Sequence, residues 1–545
     1  MSDFKKIISE IYPAATFDEG GECLLVNVED KDWHGVAEKL KSDPRLDFDV
    51  LTAVVGMEWP ENFGVLYYLT STSHAWDVIC VKVVAPDKAD PFMHTVSDIW
   101  KVANFQEREV YDFFGIRFIN HPDMRHFFLR NDWKGYPLRK DYDANPELNP
   151  IPDRDEENED ESAMYVETSD GKIDKLDKKV FEDDDYVVNF GPQHPSTHGV
   201  MRFRAAVDGE TVKKVDVVSG YIHRGMEKLS ESLAYPQILH FTDRMDYMSA
   251  HQNRHCLCMC IEKALGIEVP RRAQVIRTMM DELMRISSHL LSFGCTAMDL
   301  GATTAFFYGF REREMVLDIF EKTCGARMSM NYNVIGGVIA DLHPDFVKDV
   351  RHLIEIMPSR LKEYHQVFTG NIIAMNRLKE VGMLSKEEAI NYAVTGPSGR
   401  GSNWSCDCRK KHPYACYGEV EFEEVLETGC DSYARYMVRM REIEESCKIL
   451  SQLLDLLPEE GDIRAQVPKV IKLPAGRWYQ QVEASRGTFG VFIESIGEKT
   501  PYRVHFQSPC FNLVGVMDLT CTGYMIADLI TIGAALDFVI PDIDR

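Results

Sequence analysis

A strongly acidic stretch near the middle of the chain most constrains the fold, because it divides the sequence into two unequal parts. Between Glu147 and Asp185 there are 16 acidic and five basic residues, a net charge of −11, and few apolar side chains. Such a segment buries too little apolar surface to offset the entropy lost on ordering. We therefore predict a solvated linker at 147–185 that joins units at 1–146 and 186–545. A long acidic loop within one domain is the alternative.

The charge of the whole chain argues against binding to nucleic acid. The 545 residues include 61 Lys and Arg against 87 Asp and Glu, a net charge of −26, whereas nucleic acid binding depends on clustered cations. No run of 18 apolar residues predicts a membrane span, and the amino terminus lacks the apolar run of a secretory signal. We expect a cytosolic chain with reduced cysteines, for which a membrane-bound partner is still allowed.

The two units show different periodicities. The first alternates short amphipathic helix patterns with runs rich in β-branched and aromatic residues, which predicts a compact α+β domain. In the second, apolar residues recur at steps of three and four and predict a helix of more than 20 residues, and 432–456 is similar. We expect a mainly α-helical domain with β flanks there. The recurring residues are Val275, Met279, Leu283, Ile286 and Leu290.

Three polar residues of the second unit form a candidate pocket. The segment GPQHPSTHGV contains His194 and His198, and its proline and glycine favour a loop that displays an imidazole. Tyr247 offers a phenolic donor, and Asp299 follows the long apolar helix, where a buried carboxylate is commonly paired with an imidazole. A structural histidine is the alternative. Chemistry alone therefore supports a candidate His–Asp–Tyr pocket.

Two cysteine clusters are weaker candidates for metal sites. Cys256, Cys258 and Cys260 would project from different faces of a helix, which favours small buried hydrophobic side chains over a metal site. Cys406, Cys408, His412 and Cys416 have a spacing closer to that of zinc ligands. We nevertheless expect no metal in this chain.

Several long motifs resemble two subunits of one enzyme. GPQHPSTHG, HRGMEK, DRMDY, MDLGA and the terminal DIDR closely resemble the D (49-kDa type) subunit of proton-pumping NADH-quinone oxidoreductase, respiratory complex I. The run ERE…DFFGI…HP…W.G.PLRKDY in the first unit resembles the C (30-kDa type) subunit. The motifs occur in the right order over nearly the whole chain. The sequence therefore resembles a fused C/D subunit whose junction is the acidic stretch.

This resemblance implies roles for individual residues. In the family the D subunit forms one wall of a quinone headgroup pocket, and the neighbouring B-type subunit carries the terminal [4Fe–4S] cluster. The quinone-binding histidine and tyrosine fall on His198 and Tyr247, the aspartate paired with the histidine on Asp299, and an arginine beside the cluster on Arg224. Histidine and tyrosine suit the reduction of quinone, because carbonyl oxygens that gain negative charge need hydrogen-bond donors that are already in position.

The resemblance also implies partners and a location. The expected partners are the B-type subunit, the ferredoxin-like I-type subunit and the membrane H-type subunit, on the cytoplasmic side of a bacterial inner membrane. Electrons would come from NADH or a ferredoxin-type donor, and their transfer to quinone would be coupled to proton translocation. The family resembles the large subunit of nickel–iron hydrogenases with the metal site lost, which predicts that fold for the second unit.

Two other functions fit the sequence less well. Hydrogen activation needs two CxxC-type pairs, and no CxxC occurs in the sequence. The joint presence of His198, Tyr247 and Asp299 argues against the second alternative, an assembly scaffold without catalytic residues. The chain also departs from the family, with Ser329 in place of a histidine near the terminal cluster and Val334 in place of an arginine.

Overall fold

The first unit is built on a five-stranded sheet flanked by helices. A computed structural model describes residues 2–18, 23–142, 160–194 and 199–545. The sheet has the order β1-β2-β5-β4-β3, with β2 and β5 parallel and the other pairs antiparallel. The predicted α+β domain is thereby confirmed. Its elements are α1 (Ser2–Ile11), β1 (Thr16–Asp18), β2 (Leu24–Glu29), α2 (Asp30–Ser42), β3 (Val50–Glu58), β4 (Phe63–Ser71), β5 (Asp77–Val84) and α3 (Ala103–Phe114).

Part of the acidic stretch is folded, which corrects the prediction of a linker over all of 147–185. A second sheet, of order β6-β7-β8-β9, takes two strands from the first unit and two from the acidic stretch. The two strands of the acidic stretch form a hairpin that backbone hydrogen bonds attach to the first unit. One of these bonds joins the Met124 N–H to the Ala163 carbonyl at 2.8 Å. Positions 143–159 lie outside the described residues. The strands are β6 (Phe92–His94), β7 (Arg117–Ile119), β8 (Glu161–Glu167) and β9 (Ile173–Lys179).

The hairpin orders because its composition is divided between two faces. Ala163 is buried, and the Tyr165 ring packs edge-on against Phe92 with 5.5 Å between ring centroids. The lysines and aspartates of β9 point outward, where water solvates them. The average composition of the acidic stretch therefore does not reveal that part of it can pair at the edge of a sheet.

The second unit is helical, with antiparallel sheets before and after the helices. The leading sheet has the order β10-β13-β14 and the trailing sheet β17-β18-β19, and two short pairs are β11–β12 and β15–β16. The strands are β10 (Tyr186–Phe190), β11 (Gln193–His194), β12 (Gly199–Val200), β13 (Arg202–Asp208), β14 (Thr211–Val218), β15 (Asn333–Val334), β16 (Gly337–Val338), β17 (Ala475–Ala484), β18 (Gly487–Ile496) and β19 (Arg503–Gln507).

The helices confirm the two long periodic patterns. The first pattern lies in α7, a helix of 29 residues in which all five recurring apolar side chains are buried, and 432–456 is α14. A π-helical turn, His365–Thr369, extends α9. The helices are α4 (Met226–Ser230), α5 (Tyr235–Met245), α6 (Ala250–Leu265), α7 (Arg271–Asp299), α8 (Thr303–Cys324), α9 (Phe346–Tyr364), α10 (Ile372–Leu378), α11 (Lys386–Asn391), α12 (Gly396–Gly401), α13 (Cys408–Lys411), α14 (Ser432–Leu456), α15 (Pro509–Gly515), α16 (Met517–Cys521), α17 (Ile526–Leu536) and α18 (Ile540–Ile543).

One of the apolar clusters is shared by the two units, and another lies within the second unit. A single cluster of buried side chains runs from Trp33 in the first unit to Phe511 in the second. Polar contacts cross the same boundary, since the Tyr502 hydroxyl donates to the Glu58 carbonyl at 2.6 Å. In the described part of the chain, no helix is both long and apolar enough to cross a membrane.

Candidate functional site

Tyr247 lies in the tight connection between α5 and α6. The Asp246 carboxylate accepts the Met248 N–H at 3.0 Å, and the Asp246 carbonyl accepts the Ser249 N–H at 2.9 Å. These bonds fold the chain into a turn that presents the half-buried phenol. Burial raises the pKa of Tyr247, and the nearby Arg486 guanidinium opposes that rise.

Arg486 is the centre of the polar contacts beside Tyr247. It occupies the two-residue turn between β17 and β18, yet it is fully buried. Its Nη1 contacts the Asp246 carboxylate at 3.3 Å and donates to the Ser288 hydroxyl at 2.9 Å. Its Nε donates to the Asp537 carbonyl at 2.7 Å. One side chain thus ties together the Tyr247 turn, α7 and the segment after α17.

Asp299 is brought to the same region through α7. It is the last residue of that helix and is half-buried. Cys295 lies one helical turn earlier; burial raises the pKa of its thiol to about 12, with Asp537 and Asp299 adding to the rise. Cys295 is also an electrostatic neighbour of Tyr247. Tyr247 and Asp299 are thus both close enough to Cys295 to act on its thiol.

His198 lies outside the described residues, so its place in the predicted pocket remains a prediction. The strands before and after it pair with each other, with Gln193 opposite Val200. Gly199 lies against α18, because a Cβ atom there would be 2.5 Å from Cγ1 of Ile540. The chain that follows His198 is thus packed near the carboxyl terminus, as Arg486 is.

Arg224 belongs to a separate, exposed turn. The Asp544 carboxylate accepts the backbone N–H groups of Gly220 and Ile222 at 2.9 and 3.0 Å, and so holds the turn in place. Arg224 itself is exposed, and within the described ranges it makes no ion pair of 4.0 Å or less. The terminal DIDR motif therefore has a local structural reason: it fixes the turn that displays this cation.

A buried charge cluster at the boundary of the two units was not predicted from the sequence. Both carboxylate oxygens of Glu109 on α3 accept from Arg545 at 2.7 Å, and His505 Nδ1 lies 3.0 Å from Glu227. Glu109, Glu227 and His505 are close enough together to hold a cation. Arg503 and Arg545 already place positive charge there. Burial alone would raise the pKa of Glu227, but these arginines and His505 hold it well below its usual value.

The cysteine clusters behave as small buried side chains. Cys256, Cys258 and Cys260 are all fully buried on α6, and the Cys256 thiol donates to the Gln480 carbonyl at 3.2 Å. Among the described residues, Cys406, Cys408, His412 and Cys416 do not converge to metal-binding distance. The preference for buried hydrophobic cysteines at 256–260 is confirmed.

Comparison with known proteins supports the class that the two units define. Residues 26–147 match the family model of the respiratory-chain NADH dehydrogenase 30 Kd subunit, and residues 299–472 and 465–545 match that of the 49 Kd subunit. The sheet domain and the helical domain thus correspond to two respiratory-chain subunits in one chain.

Curated relatives cover the whole arrangement. The chain is 54% identical over 509 residues to the C/D subunit of NADH-quinone oxidoreductase from Phocaeicola vulgatus, covering 93% of this chain and 97% of the relative. It is 53% identical over 523 residues to that of Bacteroides thetaiotaomicron, covering 94% and 98%. The D subunit of the Bacillus anthracis enzyme is 43% identical over 363 residues, 66% of this chain and 99% of the relative. The chain belongs to the family of C/D subunits of NADH-quinone oxidoreductase, and so is a complex I subunit.

Proposed function

We propose that this chain forms one wall of the quinone headgroup site of its complex and helps to pass electrons to quinone from a [4Fe–4S] cluster on a neighbouring subunit. The observation that supports the proposal most is the half-buried Tyr247 phenol, held by a turn that Arg486 anchors and lying beside the end of α7. The names of the relatives, C/D and D subunits of NADH-quinone oxidoreductase, fit this reaction.

The chemistry of quinone reduction explains these residue types. Two electrons and two protons together convert the two carbonyls of the headgroup into two hydroxyls, so charge develops on oxygen atoms. A positioned phenol donates a hydrogen bond to one carbonyl and then supplies its proton. In this proposal His198 faces the headgroup with Tyr247, and Asp299 fixes the imidazole tautomer and favours its charged form.

The proposal extends to partners and placement. We infer that the exposed Arg224 faces the cluster of the B-type subunit, and that I-type and H-type subunits complete the surroundings, on the cytoplasmic side of the inner membrane. NADH, or a ferredoxin-type donor, supplies the electrons, and their transfer is coupled to proton translocation. The second unit has the fold of a hydrogenase large subunit without its metal site. Domain boundaries at 1–146 and 186–545 belong to the same proposal, with the hairpin of β8 and β9 paired to β7 of the first unit.

The decisive experiment is Tyr247→Phe in the intact complex. The ring volume is kept and only the hydroxyl is lost, so packing changes little. Quinone reductase activity should fall by roughly 10²–10⁴-fold, the usual contribution of a positioned acid. Reduction of the iron–sulfur clusters by the upstream donor should stay normal, because it precedes the pocket.

Tyr392→Phe is the matched control. Tyr392 is also half-buried, and burial raises the pKa of its phenol too, but it lies beside Asp518 and Glu388 rather than Arg486. This variant should keep full activity. Full activity in an assembled Tyr247→Phe complex would refute the proposed role and leave the chain as a scaffold.

A further inference from the structure

Arg313 on α8 is a buried cation that forms no ion pair of 4.0 Å or less with an acid among the described residues. The side chain is only 6% exposed. Its Nη2 contacts the thioether sulfur of Met248 at 3.7 Å, and its Nε has no hydrogen-bond partner in the described ranges. Arg254, another buried arginine of the same domain, has a carboxylate of Asp243 at 2.8 Å.

An uncompensated buried guanidinium is costly to keep. Removing a charge from water without a partner destabilises the fold, and buried charges are usually paired for this reason. Burial accordingly lowers the pKa of Arg313. Two acids adjoin Arg313 in sequence, and both have other partners. The buried Glu312 pairs with Arg311 at 2.6 Å, and the exposed Glu314 pairs with Arg327. The environment therefore suits a negative charge that arrives from outside this chain.

The elements packed around Arg313 belong to the candidate site. Met248, whose sulfur it contacts, directly follows Tyr247, and Tyr247 and Cys295 are both electrostatic neighbours of the guanidinium. Glu314 and Arg327 are the other charged groups that act on it. An anion that reaches Arg313 would thus lie beside the Tyr247 phenol.

We propose that Arg313 is a further catalytic residue of the quinone site, and that its guanidinium stabilises the negative charge that develops on the headgroup oxygen beside Tyr247. This proposal rests on the proposed function. Two electrons from the cluster of the neighbouring subunit reduce the headgroup, whose C=O bonds become C–O single bonds. The Tyr247 phenol gives its proton to one oxygen and is reprotonated from water, and the second oxygen takes the second proton from water.

The arginine and the phenol have different tasks in this scheme. Tyr247 transfers a proton, whereas Arg313 keeps all its protons and acts by charge. A preorganised cation in a site with little water stabilises a developing oxyanion without having to reorient during the reaction. Loss of its charge should therefore lower kcat more than it raises KM, since the neutral quinone gains less from the cation than the reduced form does.

The test compares Arg313→Gln and Arg313→Lys in the intact complex, with a short-chain quinone as substrate. Removing one preorganised hydrogen-bond donor at a developing oxyanion typically costs about 10²–10³-fold in kcat. Arg313→Gln should show a loss of that order, and Arg313→Lys, which keeps the charge, should recover much of it. Arg351→Gln is the control, because Arg351 on α9 is an exposed arginine paired with Asp455 at 3.2 Å.

Three outcomes would overturn the assignment. The first is a normal kcat in an assembled Arg313→Gln complex. The second is a loss in which KM alone rises. The third is failure of assembly in both variants, which would assign Arg313 to an acidic group of a neighbouring subunit. If only Arg313→Gln fails to assemble, the Arg313→Lys complex is the test. A kcat close to that of the unaltered complex then supports the assignment, and a kcat lowered about 10²-fold or more overturns it. An inactive Tyr247→Phe with an active Arg313→Gln would sink this inference alone, whereas an active Tyr247→Phe would sink the proposed function.

Discussion

Arg486 and Asp246 form a buried ion pair, with 3.3 Å between Nη1 and the carboxylate, directly beside the turn that carries Tyr247. The same guanidinium contacts the Asp537 carboxylate at 3.2 Å. Two acids on distant segments are thus joined through one cation. Because the phenol of the next residue lies near that cation, its acidity depends on a contact between residues 240 positions apart in sequence.

Replacing Arg486 should change the pH dependence of quinone reduction. Arg486 opposes the rise that burial causes in the pKa of Tyr247, so Arg486→Gln should raise that pKa and make the phenol a weaker acid. We expect activity to fall by about 10-fold at neutral pH and the alkaline limb of the kcat profile to move to higher pH. Steady-state kinetics across pH would measure both effects.

Arg486→Lys serves as the control, because it keeps the charge while losing the forked geometry. Its alkaline limb should stay close to that of the unaltered complex. An unshifted limb in an assembled Arg486→Gln complex would show that Arg486 only holds the turn in place.

Lowering the pH should destabilise the contacts between the two units. The folded pKa of Glu227 lies well below its usual value of 4.5, so its charge contributes stability that is fully present above about pH 4.5. That contribution is lost as the pH falls through 4.5 towards the folded value. The free energy of unfolding should therefore drop over this window, and chemical denaturation at several pH values would follow it.

Glu227→Gln should flatten this acid dependence and lower stability at neutral pH, because it leaves Arg503 and Arg545 with less negative charge around them. Glu10→Gln is a suitable control, since Glu10 forms an exposed pair with Arg45. Equal acid sensitivity in both variants would contradict the prediction.

The parts of the fold that the sequence predicts well are those governed by local periodicity. Helices α7 and α14 follow from apolar steps of three and four, because one face of each helix must be buried whatever it packs against. The hairpin of β8 and β9 did not follow, since its stability comes from pairing with β7, which lies more than 40 residues earlier in the chain.

The candidate site divides in the same way. Tyr247 and Asp299 stand in motifs that can be recognised in one dimension, and the structure places both near Cys295. Arg486 and Arg313 carry no such signal. A two-residue turn between alternating strands could be read from ASRG, but not that its arginine points inward to meet Asp246. The burial of these two arginines and the identity of their partners depend on tertiary packing, which local sequence patterns do not reveal.

The pH response of the terminal cluster should differ from that expected of the family. The resemblance to the family places Ser329 where a titrating histidine is expected, and an aliphatic hydroxyl does not ionise near neutral pH. We expect the reduction potential of the cluster to vary little across neutral pH in the intact complex. Redox titration would measure the slope. Ser329→His should introduce a dependence, whereas a slope near about 59 mV per pH unit in the unaltered complex would reveal another coupled group.

Cutting the chain between the units should not separate them. A protease site inserted at position 150, between the two matched domains, would divide the chain into fragments of the 30-kDa and 49-kDa types. Because both units contribute to one apolar core and Glu109 pairs with Arg545 across the boundary, we expect the fragments to co-elute in size-exclusion chromatography after cleavage. Glu109→Gln leaves Arg545 buried with less compensation, which typically costs about 3–5 kcal/mol, and should weaken that association. If the fragments separate in the protein that carries only the inserted protease site, without Glu109→Gln, the covalent junction is what holds the units together.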